Sequence, residues 1–318
     1  MAATDKTGCV LVLYHPDPEE VPGVIACLLE QTDILCIVDN TPEADHSELF
    51  AGNSRIIYIP NRKNSGIAAA QNQGISILME QKCDWIAFSD QDTEIAPDTI
   101  AKITAVYNDL ESRGVPVGVV GTCPVNKLTG EPYKLDITEY TRMDLDSGHV
   151  MECSAVMSSV SLMSRKALLE AGGFDESLFI DFVDYEWCWR AKRGHGLRSF
   201  IAEDVKVMHM LGNLQHKVGN RNLSIGSSTR IYYQFRNYLW LMRRGYAPGA
   251  WLRKNGFKFL VKIFYYPLLV KPRLAYARNI LRGIRAGLGR RPEAVIPESG
   301  TDKLQAKDRA GAPGRPCR

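Results

Sequence analysis

The chain has 318 residues, of which 45% are hydrophobic and 24% charged, the composition of an ordinary globular protein. A net charge of +3 conceals a division: residues 1–204 carry 16 Lys and Arg against 32 Asp and Glu, whereas residues 205–292 carry 18 Lys and Arg and no acid. Eight scattered cysteines without a CxxC pair argue against a disulfide framework and a Cys-based zinc site, and favour a reducing compartment.

In chain order, residues 8–14 form a near-continuous apolar run, the pattern of a strand buried on both faces. Residues 19–31 read as a helix, with Val21, Val24, Ile25, Leu28 and Leu29 on one side. Residues 34–38 make a second strand ending at Asp39-Asn40, and residues 55–59 a third. A helix over 67–80 leads to a fourth strand, 85–89, which ends in Asp90-Gln91-Asp92. A helix over 98–112 and a strand over 117–120 follow. Strands alternating with helices at this spacing predict an α/β fold with a mostly parallel sheet flanked by helices.

From 123 to 150 a hairpin or long loop is expected, then a strand over 153–163 and a short helix over 165–171 closed by Gly172-Gly173. An acidic helix begins at Asp184, and two short strands, 197–201 and 204–208, close on His209. Residues 229–291 form three basic, aromatic-rich helical segments. They fit either an anionic membrane surface or ordinary packing helices with a solvated basic face. No nucleic-acid-binding module is visible. No apolar run reaches the ~18 residues of a spanning helix. Residues 1–7 are too polar for a signal peptide, so a cytoplasmic, soluble or surface-bound protein is expected.

Parallel strands bring their carboxyl ends to one edge, where ligands of open α/β sheets bind. That edge would collect Tyr14-His15, Asp39-Asn40, the turn Asn64-Ser65-Gly66 and the Asp90/Asp92 pair. Two carboxylates one residue apart suit a hard cation, Mg²⁺ or Mn²⁺, completed by a phosphate-bearing substrate. Helix capping or turn formation explains the pair equally well at this stage. The turn and helix start after Asn64 offer backbone N–H groups to a diphosphate, although Gly66 and Gly74 also fit plain turn and packing geometry.

With Gly172-Gly173-Phe174-Asp175-Glu176 and Asp184-Tyr185-Glu186-x-x-x-Arg190, the motif order over residues 7–215 resembles the inverting nucleotide-sugar glycosyltransferases of GT-A fold. Within them, Asp90-Gln91-Asp92-Thr93 and the basic aromatic C-terminal region resemble bacterial rhamnosyltransferases that use dTDP-L-rhamnose. The resemblance implies a Rossmann-like catalytic domain over 1–215, its nucleotide-binding half over about 1–122 and its acceptor half over 123–215. A basic helical region at 216–298 on the inner face of the cytoplasmic membrane and a disordered tail at 299–318 would follow.

It also implies roles. Tyr14, His15, Asp39, Asn64, Gly66, Asp90 and Gln91 would line the nucleotide-sugar pocket, with Asp39 on the base. Asp90, Asp92 and His209 would hold the metal. Asp184 would be the general base, with Glu186 as fallback. Trp187 and Trp189 would stack on the acceptor or pack in the core. The partners implied are dTDP-L-rhamnose, a lipid-linked saccharide acceptor and an anionic membrane; UDP-galactofuranose or another UDP- or GDP-sugar is the alternative donor, and homo-oligomerisation is left open.

Rival classes fit less well. An aspartyl-nucleophile phosphatase of the HAD type wants Thr or Val two residues after its second Asp, where this chain has Glu94. A nucleotidyltransferase begins with a glycine-rich basic loop, where this chain has Tyr14-His15-Pro16-Asp17-Pro18. A non-catalytic scaffold would have no need of intact acidic pairs.

Overall fold

A computed structural model describes residues 5–50, 52–126, 130–133, 139–209, 215–218, 221–224, 226–289 and 294. The tail expected to be disordered, 299–318, lies outside the described residues. The first half runs β1 (Thr7–Leu13), α1 (Val21–Gln31), β2 (Ile34–Asp39), β3 (Ile56–Pro60), α2 (Ile67–Glu80), β4 (Trp85–Asp90) and α3 (Thr99–Ser112). In β1 the apolar run is buried on both faces, as Cys9, Val10 and Leu11 show. In α1 the inward stripe is Val21, Ile25, Leu28 and Leu29, at helical spacing. Helix α2 lies close on β1 because Gly74 has no side chain: a Cβ there would sit 2.5 Å from Val10 Cγ1.

The second half runs β5 (Val117–Asn126), β6 (Tyr140–Leu145), β7 (Gly148–Cys153), β8 (Ser161–Ser164), α4 (Arg165–Ala171), α5 (Val183–His195) and β9 (Arg198–His209). The hairpin β10 (Gln215–Val218) and β11 (Arg221–Ser224) precedes α6 (Ser228–Arg244), α7 (Gly249–Leu269) and α8 (Arg273–Leu288). The main sheet has the order β3-β2-β1-β4-β8-β5-β9-β7-β6. Strands β1 to β4 are mutually parallel and β9 is parallel to β5, while β8, β7 and β6 run antiparallel to their neighbours. The chain steps outward from β1 to β2 and β3, then crosses back through α2 to place β4 on the other side of β1. That reversal is the topological switch where the carboxyl ends open a crevice.

Two expected elements differ. Of the strand foreseen over 153–163, residue 153 ends β7 and 161–163 belong to β8, while 154–160 is a loop between them, although Ala155, Val156 and Val160 in it are buried. Val156 packs against Gly121, so the apolar run there marks burial and not a strand. The two short strands foreseen over 197–208 are one strand, β9. Its register with β5 jumps from Ala202 to Lys206, so residues 203–205 bulge out and break the sequence pattern without breaking the strand.

One sheet face is covered by α2, α4 and α5, the other by α1 and α3. The C-terminal helices have a core of their own, built from Ile231, Phe235, Phe259, Tyr266, Tyr276 and Ile280. They also contribute Trp240, Leu241 and Trp251 to the core under α2, α4 and α5, beside Trp187 and Trp189. Among the described residues no helix is long and apolar enough to cross a membrane.

Candidate active site

The carboxyl ends of β1, β2 and β4 meet as the parallel arrangement requires. Gln91 stitches the switch point: the Tyr14 N–H donates to its Oε1 (2.8 Å) and its Nε2 donates to the Tyr14 carbonyl (3.2 Å). The His15 N–H donates to Thr41 Oγ1 (2.9 Å), tying β1 to the loop after β2. The Tyr14 ring is left exposed at the rim, packed edge-on against His15.

Asp39 is placed at this edge, but its carboxylate faces inward and is fully engaged. It accepts from the Thr41 N–H (2.9 Å) and the Tyr58 hydroxyl (2.9 Å) and pairs with His46 Nδ1 (2.5 Å). Burial pushes its carboxyl up, yet the hydrogen bonds from His46, Thr41 and Tyr58 outweigh that and hold it below the usual range. The direct base contact expected of Asp39 is therefore corrected. At 1% exposure it orders His46 and the rim loop, and presents no oxygen to a ligand.

The turn before α2 is held by a network of amides. Asn64 Oδ1 accepts the Gly66 N–H (3.0 Å), Asn40 Nδ2 donates to the Gly66 carbonyl (3.1 Å), and Asn61 Nδ2 donates to Asn40, Ser65 and Gln73. Gly66 adopts φ +85°, and a Cβ there would stand 2.6 Å from the Phe179 ring and 2.7 Å from the Phe179 carbonyl oxygen. Only glycine fits that close approach with that backbone. No side chain caps α2. Of its leading N–H groups, that of Ile67 is taken by the Phe179 carbonyl (2.8 Å), which joins the turn to the chain just before α5.

Asp90 closes β4, half-buried, and Asp92 stands exposed two residues later. The backbone of Glu94 forms a two-way bridge with Met208 (3.2 Å each way), bringing the end of β9 alongside the acidic turn. The His209 backbone is thus adjacent to the pair; its side chain lies outside the described residues. Asp184 sits in the first turn of α5, accepting the Ser158 N–H (3.2 Å) at Oδ2 and the Tyr185 N–H (2.9 Å) at Oδ1. Desolvation by burial, with the Asp90 carboxylate adding repulsion, raises its pKa to about 6.

Asp90 and Asp92 offer carboxylate oxygens one residue apart, the donor type a hard divalent cation prefers, and the Asp90 carboxylate repels that of Asp184. Asp90 and Asp92 therefore fit such an ion. Among the described residues no third His, Cys, Asp or Glu completes a cluster with them.

One expected site residue is corrected, and two left open between acceptor and core are decided. Glu186, the fallback base, is fully buried, accepting from Arg190 Nε (3.0 Å) and the Tyr246 hydroxyl (2.5 Å) with Arg244 at 3.5 Å. A carboxylate so neutralised and enclosed cannot meet an acceptor hydroxyl. Trp187 and Trp189 are core residues at 0% and 3% exposure, so neither is an acceptor platform. Trp187 donates its indole N–H to the Gly172 carbonyl (2.8 Å). Two parts of the site gave little sequence signal: Ser158, whose backbone meets Asp184, lies in the loop read as strand, and the segment after Glu176 looked featureless.

Residues 9–169 match the family described as glycosyl transferase family 2. The dTDP-rhamnosyl transferase RfbF of Shigella flexneri is 31% identical over 248 residues, covering 75% of this chain and 80% of that protein. Among solved structures, the crystal structure of GalNAc-T7 with UDP, GalNAc and Mn²⁺ is similar with a TM-score of 0.51 at 13% identity, over 88% of this chain and about half (54%) of that one. A crystal structure titled as a mycobacterial protein is similar at TM-score 0.50 and 12% identity, over 77% of this chain and 76% of that one. A parallel switch-point crevice rimmed by carboxylates, the family match and the extent of the likeness to a curated transferase agree: this chain belongs to glycosyl transferase family 2, with the GT-A fold.

Proposed function

We propose that the protein transfers L-rhamnose from dTDP-L-rhamnose to a hydroxyl of a saccharide acceptor, with inversion at the anomeric carbon. The donor is inferred from the likeness to the Shigella dTDP-rhamnosyl transferase. The observation that carries the chemistry is Asp184, raised to about 6 and within electrostatic reach of Asp90 at the switch-point crevice. A carboxylate with such a pKa is mostly ionised at neutral pH yet basic enough to accept a proton during attack. In the proposed reaction the acceptor oxygen bonds to the anomeric carbon as its proton passes to Asp184. The bond from that carbon to the diphosphate breaks, and dTDP leaves with the electron pair. A divalent cation bound by Asp90 and Asp92 would neutralise charge gathering on the diphosphate. Asn64, Gly66 and the start of α2 shape the donor side, while Gln91 holds the two strand ends in register beneath it.

A donor panel of dTDP-L-rhamnose, UDP-galactofuranose, other UDP-sugars and GDP-mannose tests this reading through calorimetric binding and nucleotide release. Preference for a UDP- or GDP-sugar would replace the donor assignment while leaving the family in place. Activity persisting in EDTA would remove the cation from the reading.

The finer proposal for location is peripheral attachment to an anionic membrane, where a lipid-linked acceptor would be met. Two features support it. Phe257, Leu260, Phe264 and Leu268 are exposed along one side of α7, and Leu274, Leu281 and Leu288 along α8. The stretch that carries them has no acidic residue. Phe257→Asp with Phe264→Asp should abolish sedimentation with vesicles containing phosphatidylglycerol; sedimentation equal to the parent protein would remove the membrane from the reading.

A further inference from the structure

The chain entering α5 is contorted. Phe179, Asp181 and Phe182 all have positive φ (66°, 64° and 66°), a region that non-glycine residues seldom occupy. Such a segment persists only where its surroundings over-determine it. The surroundings here belong to α6. Asn237 is fully buried, and its Nδ2 donates to the carbonyls of Leu178 (2.9 Å), Ile180 (2.7 Å) and Asp181 (3.1 Å). Its Oδ1 accepts from Arg236 Nε (3.0 Å) and Nη2 (2.8 Å), so the amide can face only one way, since Arg236 has nothing but donors. Arg236 also donates to the carbonyls of Ser177 and Leu178 (2.8 and 2.9 Å) while lying over the Trp240 ring at 4.1 Å. At the exposed edge Arg230 pairs with Asp181 (2.9 Å).

Resting on the proposal that Asp184 is the base, we propose that Asn237, assisted by Arg236 and Arg230, is a positioning residue for Asp184. It clamps the backbone turn that aims the start of α5 at the crevice. Phe182 caps α5 and Asp184 is two residues on, so a rotation within 179–182 moves the carboxylate directly. The donor turn touches this segment at Phe179 but has braces of its own in Asn40, Asn61 and Asn64. Loosening the clamp should therefore slow the reaction more than it weakens donor binding. On this arrangement the basic C-terminal helices complete the active site, in addition to any docking role.

The test uses the full chain with dTDP-L-rhamnose alone, reading dTDP release to water and calorimetric donor affinity for Asn237→Asp, Arg230→Gln and Asp184→Asn. Asn237→Asp keeps the volume and the Arg236 pairing but sets an acceptor against three carbonyls. It should lower kcat by about tenfold or more with donor Kd within about twofold. Arg230→Gln takes one partner from the largely buried Asp181, whose carboxylate is also held by Gln234 and Lys262, and should lower kcat about two- to fivefold in a chain that still folds. The proposal is overturned if Arg230→Gln retains the parent kcat, or if a folded Asn237→Asp does, or if donor affinity falls as far as the rate. Arg230→Gln decides the matter should Asn237→Asp not fold. Full activity in Asp184→Asn would instead remove the base assignment, a result separate from the other two.

Discussion

Asp184 and Glu186 are two carboxylates of one helical turn, and their chemistry is set by what lies around each. Asp184 is pushed up by burial and by the neighbouring Asp90 carboxylate, which outweigh the backbone N–H groups it accepts from, so its pKa rises to about 6. A base works when deprotonated, so turnover should climb with pH through about 6 and level off above it, as a pH–rate profile at saturating donor would show. Asp184→Asn should lower kcat by about 10²–10⁴ while donor affinity by calorimetry changes little. At Gly66, a substituted alanine would meet both the positive φ and the Phe179 ring and carbonyl. Gly66→Ala should cost about 1–3 kcal/mol in urea unfolding and raise the donor KM, because the turn and the chain before α5 must separate to admit the methyl group.

At the scale of elements, α5 is amphipathic in function as well as in polarity. Its first turn carries Asp184 to the crevice, while Glu186 points into the fold toward Arg190, Arg244 and Tyr246. Arg244 is itself almost enclosed and also pairs with Asp175, so helices α5 and α6 and the turn at 175 share one buried ion cluster. Glu186→Gln should leave the shape of the pH–rate profile alone. It should lower unfolding free energy by about 3–5 kcal/mol, since breaking a buried pair strands a cation. Chemical denaturation followed by tryptophan fluorescence would measure it. Asn72 plays a neutral version of the same part, exchanging hydrogen bonds with the backbone N–H and carbonyl of Phe174 (2.8 and 2.9 Å) and so joining α2 to the segment after α4.

On the scale of the whole molecule, the charge division runs across an interface that is largely apolar. Trp240, Leu241 and Trp251 from the basic helices sit in one core with Phe174, Trp187 and Trp189 from the acidic half. Removing residues 229–318 would expose that core and strip Arg244 from Glu186 and Asp175. The truncated chain should therefore aggregate or unfold well below the parent melting temperature. Surface substitutions on α7, not truncation, are the fair probe of membrane attachment, with sedimentation as the readout.

What the sequence determined by itself is local. Apolar runs with period-2 or period-3.6 spacing gave the alternation from β1 to α3, and that alternation gave a mostly parallel sheet, whereas the strand order came from the fold. The acids at strand ends marked the crevice because parallel strands must all end on one side. These are short-range patterns, so one chain suffices to read them. What only the tertiary structure decided depends on partners distant in sequence. Asp39 faces inward because Tyr58 and His46 engage it. Glu186 is silenced by Arg244 and Tyr246 nearly sixty residues later. The tryptophans of α5 pack inward because α6 and α7 close over them. The loop at 154–160 looked like a strand because burial, which sequence registers as apolarity, does not require pairing. The turn before α5 carried no sequence signal at all, since its left-handed residues are held by an asparagine on a helix that the sequence joins to the site only through folding.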